Sequence, residues 1–204
     1  MDAKDTYKTI DLPSKETLFK DKNSKFFGYT FPISTEEEAK QIVGTLKKEH
    51  HSARHWCYAW QIGTEKIRHR SNDDGEPSNS AGQPIYGQIQ SFGVTNILII
   101  VVRYFGGVKL GVGGLIHAYR TAAQLALEAS VIIEKTIDIK FVITFQYKNM
   151  NKVMRIIKEH QLTITDQKLT LDCKIFISVR KKKSDEINTL FSSLYEIDIK
   201  RLCD

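Results

Sequence analysis

The stretch that decides the fold runs from Asn96 to Ala129, with the sequence NILIIVVRYFGGVKLGVGGLIHAYRTAAQLALEA. The apolar residues 97–102 are mostly β-branched and too few for a helix, so they predict a strand buried on both faces. Glycines follow, and apolar residues at helical spacing then continue to Ser130. The stretch therefore predicts a strand, a glycine-rich loop and a helix in succession.

The loop holds five glycines within nine residues: Gly106, Gly107, Gly111, Gly113 and Gly114. This density is costly in folding entropy, which indicates that side chains would obstruct something here. One interpretation is an anion site, because a helix N-terminus presents free N–H groups and Arg103, Lys109 and Arg120 lie nearby. The other is a tight crossover that packs the helix on its own strand. The P-loop and dinucleotide-binding patterns are absent.

Arg103 is the strongest single candidate for the anion site. It leaves the buried strand at the carboxyl edge, where ligands of open α/β layers bind, and its planar guanidinium suits phosphate. On this interpretation, Arg103→Ala weakens binding of RNA or a phosphate ligand and leaves the melting temperature unchanged. If the variant unfolds instead, Arg103 is a structural ion-pair residue.

The composition sets the class of protein. The chain has 204 residues, 41% of them hydrophobic, which allows one large or two small domains with real cores. No apolar run is long enough for a signal peptide or a membrane span, so the expected location is cytoplasmic. Three cysteines without paired spacing predict reduced thiols, and the net charge of +6 permits contact with nucleic acid.

Upstream, residues 53–62 are rich in aromatics and predict a strand. Alternation places His55 and Cys57 on one face and Trp56 on the other. A histidine beside a cysteine suggests a nucleophile with its base, but no third orienting residue can be named. The alternative is a buried thiol under a helix-covered face, where Cys57 would react slowly with thiol reagents while Cys203 reacts at once.

The polar loop after this strand contains Asp73, Asp74 and Glu76 around Gly75, followed by Pro77. Three carboxylates could bind a hard cation, but EF-hand spacing is missing and the sequence is also typical of a turn. We predict no metal and no cofactor. A helix that follows a capping box at Ser34–Glu37 and continues to about His50, and a short helix over 81–92, complete this half.

After Ser130 the pattern changes to the order βαββαβ, the split unit of ferredoxin-like domains. A boundary near residues 131–136 divides the chain into parts 1–132 and 137–204, and a fragment of residues 1–132 is expected to melt cooperatively. A basic run precedes the last helix, which we expect Ser184 to cap. The run is either solvated surface or a nucleic-acid contact, and comprises Arg180, Lys181, Lys182 and Lys183.

Four motifs in this order resemble the Impact/YigZ family: His55-x-Cys57-x-Ala59, Asp73-Asp74-Gly75-Glu76-Pro77, Ala81-Gly82-x-Pro84, and Arg103-Tyr104-Phe105-Gly106-Gly107-x-x-Leu110-Gly111-x-x-Gly114-Leu115-x-x-Ala118-Tyr119. The resemblance spans residues 15–130, and the second half is similar to the C-terminal domain of bacterial members. Family members usually have Gly-Thr where this chain has Asn79-Ser80.

The resemblance implies an α+β fold of two domains. The first would be a βαβ-type domain like the second domain of a small-subunit ribosomal protein. The second would be a ferredoxin-like domain like the last domain of EF-G. The eukaryotic relative regulates translation by competing for a protein partner, and for bacterial members the family supplies no settled activity.

Two functions remain open from the sequence. The first is a translation-associated binding protein that contacts RNA, the ribosome or a translation factor through basic surfaces and the glycine loop. The rival is an enzyme of unknown substrate, a hydrolase or an enzyme acting on a phosphate ligand, with His55, Cys57, Asp74 and Glu76 as candidate catalytic residues. The sequence carries no serine triad, zinc-protease motif or DNA sequence-reading signature, so the non-enzymatic reading is favoured.

Overall fold

The computed structural model describes residues 5–202, which divide into two compact units. One unit is Tyr7–Lys135, and the other begins at Thr136 and includes Asp5 and Thr6. The elements up to Thr136 are, in chain order, β1 (Thr6–Ile10), β2 (Thr17–Asp21), β3 (Ser24–Pro32), α1 (Glu36–Glu49), β4 (His55–Ile62), β5 (Arg68–Asn72), α2 (Gly82–Phe92), β6 (Ile97–Tyr104), α3 (Gly111–Glu128) and β7 (Ile132–Thr136).

The first unit is organised around a five-stranded antiparallel sheet in the order β2-β3-β6-β4-β5. Both β3 and β4 pair antiparallel with β6, which lies between them, so β3 and β4 run parallel. The segment β3-α1-β4 is therefore a β-α-β unit split by an inserted strand. A separate two-stranded sheet pairs β1 with β7.

Helices cover both faces of this sheet. The face under α2 and α3 buries Phe26, Cys57, Ile99 and Val101, and the face under α1 buries Trp60, Ile100 and Val102. The central strand β6 is fully buried from Ile97 to Val102, as the apolar run predicted. The predicted alternation in β4 is also confirmed, because Cys57 lies in the α2–α3 core while Trp56 packs against the α1 core.

The capping box of α1 lies one residue later than the sequence analysis predicted. Thr35 is the N-cap in extended conformation, and its side chain accepts the N–H of Glu38 at 3.2 Å. The Glu38 carboxylate accepts the N–H of Thr35 at 3.3 Å and that of Ser34 at 2.6 Å. The acidic first turn and the basic last turn match the helix dipole.

The second unit has the predicted βαββαβ order, with a short 3-10 helix before its first α-helix. Its sheet is antiparallel in the order β11-β8-β10-β9. One face packs on both helices around a core that includes Ile143, Ile175 and Phe191. The elements are β8 (Asp138–Gln146), the 3-10 helix (Tyr147–Asn149), α4 (Met150–Glu159), β9 (Thr163–Lys168), β10 (Asp172–Arg180), α5 (Lys181–Ser192) and β11 (Ile197–Arg201).

Between Asp5 and Leu202, none of the helices has the length and apolar character needed to cross a membrane. The fold class is mixed α+β, with five α-helices in the described part of the chain.

Candidate functional site

The motif residues meet at a buried carboxylate, that of Glu76. Its side chain is 4% exposed and lies in the loop between β5 and α2. Oε1 accepts hydrogen bonds from Arg103 Nη1 at 2.5 Å and from the Tyr119 hydroxyl at 2.8 Å. His55 Nε2 lies 3.8 Å from the same oxygen. Glu76 comes from a loop, and its three partners come from the end of β6 (Arg103), from α3 (Tyr119) and from β4 (His55). We call these four side chains the Glu76 cluster.

Cys57 lies beside this cluster as a protonated thiol. Its Sγ donates to the backbone carbonyl of Asp73 at 3.0 Å and contacts the Tyr119 hydroxyl at 3.3 Å. Burial raises the pKa of Cys57 far above its usual value, and nearby acids such as Glu76 raise it further. Burial likewise raises the pKa of Tyr119. A thiol in this state lacks the thiolate character that a nucleophile requires.

Cys57 should therefore react slowly with a thiol reagent in the native protein, because the reagent has access to it only when the core opens. Cys173 is also buried, in the second unit, and serves as the internal comparison. Labelling quantified by peptide mass spectrometry should give similar slow rates for the two cysteines. Cys203, predicted from the sequence to react at once, lies outside the described residues. Fast labelling of Cys57 alone would identify a reactive site.

Asp73 fixes the loop that carries Glu76. Its carboxylate accepts three backbone N–H groups, from Asn79 at 2.9 Å, Ala81 at 3.0 Å and Gly82 at 2.8 Å. These bonds close the loop onto the start of α2. The carboxylate thus serves backbone donors that would otherwise be unsatisfied.

Asp74 connects the same loop to β4 and α1. Its Oδ2 accepts the N–H of Trp56 at 2.8 Å, and its Oδ1 pairs with Lys47 at 3.0 Å. His55 Nδ1 lies 2.9 Å from the Asp74 carbonyl oxygen. Because a carbonyl can only accept, His55 Nδ1 carries a proton and donates it to this oxygen.

The loop contains left-handed backbone at Asp74, Gly75 and Asn79, with φ of 40°, 88° and 61°. Asparagine and aspartate tolerate this conformation better than other residues with a side chain. Asn79 is therefore compatible with the left-handed turn.

Arg103 is held inside the protein. The residue is 5% exposed, and its guanidinium carbon lies 5.5 Å from the ring centroids of both Phe26 and Phe105. Its Nη2 approaches the Ser24 hydroxyl at 3.5 Å, and its Nε has no hydrogen-bond partner among residues 5–202. The guanidinium already has a carboxylate partner in Glu76, so the geometry favours the ion-pair alternative for this residue.

The glycine loop, residues 105–114 including the first turn of α3, packs at Gly106 against the turn between β2 and β3. A Cβ on Gly106 would lie 2.1 Å from the carbonyl carbon of Asn23 and 2.3 Å from the N of Ser24. The Gly106 N–H also donates to the Ser24 hydroxyl at 3.1 Å. The tight-packing interpretation therefore accounts for this glycine.

The rest of the loop faces solvent. Gly107 and Gly111 have φ of 86° and 73°, a region that favours glycine, and Cβ atoms there or on Gly113 would meet open space. A Cβ added to Gly114 would lie 3.1 Å from the Cβ of Leu110. The first turn of α3 has no acidic residue and no side-chain cap, and exposed side chains flank it: Val108, Lys109 and Val112.

A family model for the Impact N-terminal domain matches residues 22–127. This chain belongs to the IMPACT family. A family member from Haemophilus influenzae is 30% identical over 178 residues, covering 84% of this chain and 85% of that protein. YigZ, a family member from Escherichia coli, is 34% identical over 134 residues, covering 65% and 66%. The crystal structure of a hypothetical protein has the same fold, with a TM-score of 0.75 at 24% identity over 99% of this chain and 100% of that chain.

The four motifs quoted from the sequence supply the Glu76 cluster and its supports. His55, Cys57 and Asp74 are brought together with Glu76, as a convergent site would require. Their polar atoms, however, bind the backbone and other side chains of the protein. Tyr119 on α3 contacts Cys57 of β4 and Glu76 of the loop, but it was not predicted as a site residue, because a tyrosine at helical spacing also fits a core position.

The remaining predicted site residues lie apart from the cluster. Lys109 and Arg120 are exposed. The basic run lies in the second unit, and its placement before a helix capped by Ser184 is wrong, because α5 already begins at Lys181. Arg180 Nε binds Asp5 at 2.7 Å, and this hydrogen bond lowers the pKa of Asp5. Lys182 and Lys183 are exposed, and Lys181 is partly buried.

Proposed function

We propose that this protein regulates translation as a binding protein that contacts RNA, in the ribosome or bound to a translation factor. Membership of the IMPACT family supports the link to translation, because the family resemblance implies a translation regulator among its eukaryotic members. We also propose that the first unit has the fold of the ribosomal-protein domain and the second that of the last domain of EF-G, both of which recur in translation machinery.

One observation carries the proposal: an exposed loop surface without acidic residues lies next to the buried, hydrogen-bonded Glu76 cluster. The chain has no acidic residue from Asn96 to Leu127, and Lys109 extends from the glycine loop. Free N–H groups at the start of α3 add a positive field. The Glu76 cluster holds the loop from below, so binding there would require little ordering of the backbone.

The same geometry counts against the enzymatic rival. The Cys57 thiol is protonated, and the carboxylates of Asp73, Asp74 and Glu76 accept hydrogen bonds from the protein itself. A catalytic residue must instead present its reactive atom to a substrate. The cluster is better suited to shaping the surface than to chemistry.

The test is co-sedimentation of the purified protein with ribosomes through sucrose. At low salt the protein should pellet with the ribosomes, and raising the salt from about 50 to 200 mM should release it, because phosphate contacts release counterions. Lys109→Gln should reduce the slope of log affinity against log salt concentration by the contribution of about one phosphate contact. Lys152→Gln, at an exposed position on α4, is a matched charge change in the second unit and should leave the salt dependence unchanged.

Nuclease treatment identifies the partner. Loss of the pelleted protein after RNA digestion supports RNA contact. If no protein is found in the pellet at low salt while ribosomes and RNA are intact, the proposal is wrong.

A further inference from the structure

Two lysines lie side by side on the open part of the first sheet. In the register of β2 and β3, Lys20 is directly opposite Lys25, and Lys25 is opposite Tyr104 of β6. Alternation places Lys25 on the same face as Phe27 and Tyr29, the face that packs on α1. Both lysines are exposed. We call Lys20 and Lys25 the lysine pair.

The lysine pair is expected to destabilise the folded protein. Side chains directly opposite on neighbouring strands have Cβ atoms about 5 Å apart, and like charges there are destabilising. Among residues 5–202, neither lysine forms an ion pair with a carboxylate. Asp21 is adjacent in β2, but alternation directs its side chain to the opposite face. A bound polyanion would turn this repulsion into attraction.

Aromatic rings lie next to the lysine pair on the same face. Phe27 and Tyr104 are partly exposed, with ring centroids 5.5 Å apart and planes at 76°. The Tyr104 hydroxyl is 2.9 Å from His50 Nδ1, which holds its ring in place. Leu18, opposite Phe27, is 42% exposed. Within residues 5–202, the face thus combines two lysines that lack a carboxylate partner with two partly exposed aromatic rings.

The same end of the sheet gathers further positive charge. Arg54 is exposed, with its guanidinium carbon 5.7 Å from the Phe105 ring centroid. Its N–H donates to the Arg103 carbonyl, which places it beside the end of β6. Lys22 lies exposed in the turn between β2 and β3, against which the glycine loop packs. A negatively charged chain along this edge would meet cations on several strands.

We propose that this face binds single-stranded RNA, with the lysine pair on phosphates and with Phe27 and Tyr104 stacking against bases. The proposal rests on the RNA contact inferred above and adds a second surface to the glycine loop. Sequence-independent binding of single strands combines cationic grooves with aromatic platforms. An acidic protein segment would use the lysines but gain nothing specific from the rings, and a duplex would not offer its base faces.

The experiment measures fluorescence anisotropy of a labelled oligouridine RNA of about twelve nucleotides, within the range of single-strand site sizes. The full chain is titrated at several salt concentrations. Because each single-strand phosphate contact contributes about 0.7 to the salt slope, Lys20→Gln/Lys25→Gln should lower the slope by about 1.4 and affinity by about tenfold at 100 mM salt. The melting temperature should stay equal or rise, since the like-charge pair is gone.

Phe27→Leu tests the stacking component. It removes the ring while retaining apolar volume, so affinity should fall about fivefold, the low end for one stacked base, with an unchanged salt slope. The matched charge control is Lys152→Gln/Lys158→Gln, two exposed lysines on α4, which should leave the affinity unchanged.

Several outcomes would overturn the inference. Equal affinity of the lysine-pair variant and the α4 control would exclude this face. If poly-glutamate displaces the labelled RNA as strongly as unlabelled RNA of equal charge does, the face binds an acidic protein segment instead. If the wild-type chain binds RNA and only Lys109→Gln weakens binding, this inference fails while the proposed function stands. If the wild-type chain binds no RNA at low salt, both fail.

Discussion

Replacing Arg103 by methionine should destabilise the protein by about 3 to 5 kcal/mol, the range for removing one partner of a buried ion pair. Methionine retains an apolar stem of similar length, so most of the loss reports the missing charge. The Glu76 carboxylate, 4% exposed, would keep the hydroxyl of Tyr119 but lose its cation. Urea unfolding followed by the fluorescence of Trp56 and Trp60 measures the change.

Two controls separate the ion pair from a general effect of losing arginine. Arg120→Met on α3 removes an exposed arginine and should change the stability by less than about 0.5 kcal/mol. The double variant Arg103→Met/Glu76→Gln removes both charges, so its loss should be smaller than the sum of the single losses by at least about 1 kcal/mol.

The opposite result would restore the anion-site interpretation of this residue. If Arg103→Met keeps its stability within about 1 kcal/mol while RNA affinity falls, the guanidinium contributes to binding and exchanges Glu76 for a phosphate. Measuring stability and affinity on the same preparations makes the two interpretations exclusive.

The sequence predicted the elements whose pattern is local. The buried β6, the helix α3 and the alternation of Cys57 against Trp56 follow from apolar periods of two and 3.6 residues, which depend on neighbouring positions alone. The capping box moved by one residue because Ser34, Thr35, Glu37 and Glu38 allow two overlapping frames. The short strands β1, β2 and β7 were missed, since five residues with mixed polarity carry little periodic signal.

The Glu76 cluster depends on tertiary structure and could be anticipated only in part. The motifs indicated that polar residues from separate stretches converge, but not which atoms would pair. Glu76 and Arg103 are 27 positions apart, and only the loop held by Asp73 brings them together. Nothing local to Arg103 distinguishes a buried ion pair from a phosphate ligand. The same holds for the lysine pair, whose proximity follows from the register of two strands.

The glycines of the loop give the second large effect, because the same substitution should have opposite signs at two positions. Gly106→Ala places a Cβ 2.1 Å from backbone carbon of Asn23, and backbone cannot rotate away as a side chain can. The loop must then leave the β2–β3 turn and lose its bond to the Ser24 hydroxyl. We expect a loss of about 2 kcal/mol or more, in the upper range for overpacking.

Gly113→Ala should instead stabilise the protein by about 0.5 to 1 kcal/mol, since alanine favours the helix and the new Cβ meets open space. Urea unfolding of both variants measures the contrast. Equal changes in the free energy of unfolding for the two variants would mean that the loop adapts and that Gly106 is not needed for close packing. RNA affinity of Gly113→Ala then separates the two roles of the loop: unchanged affinity leaves a packing role alone, whereas a loss in this more stable variant shows that the ligand contacts the backbone at the start of α3.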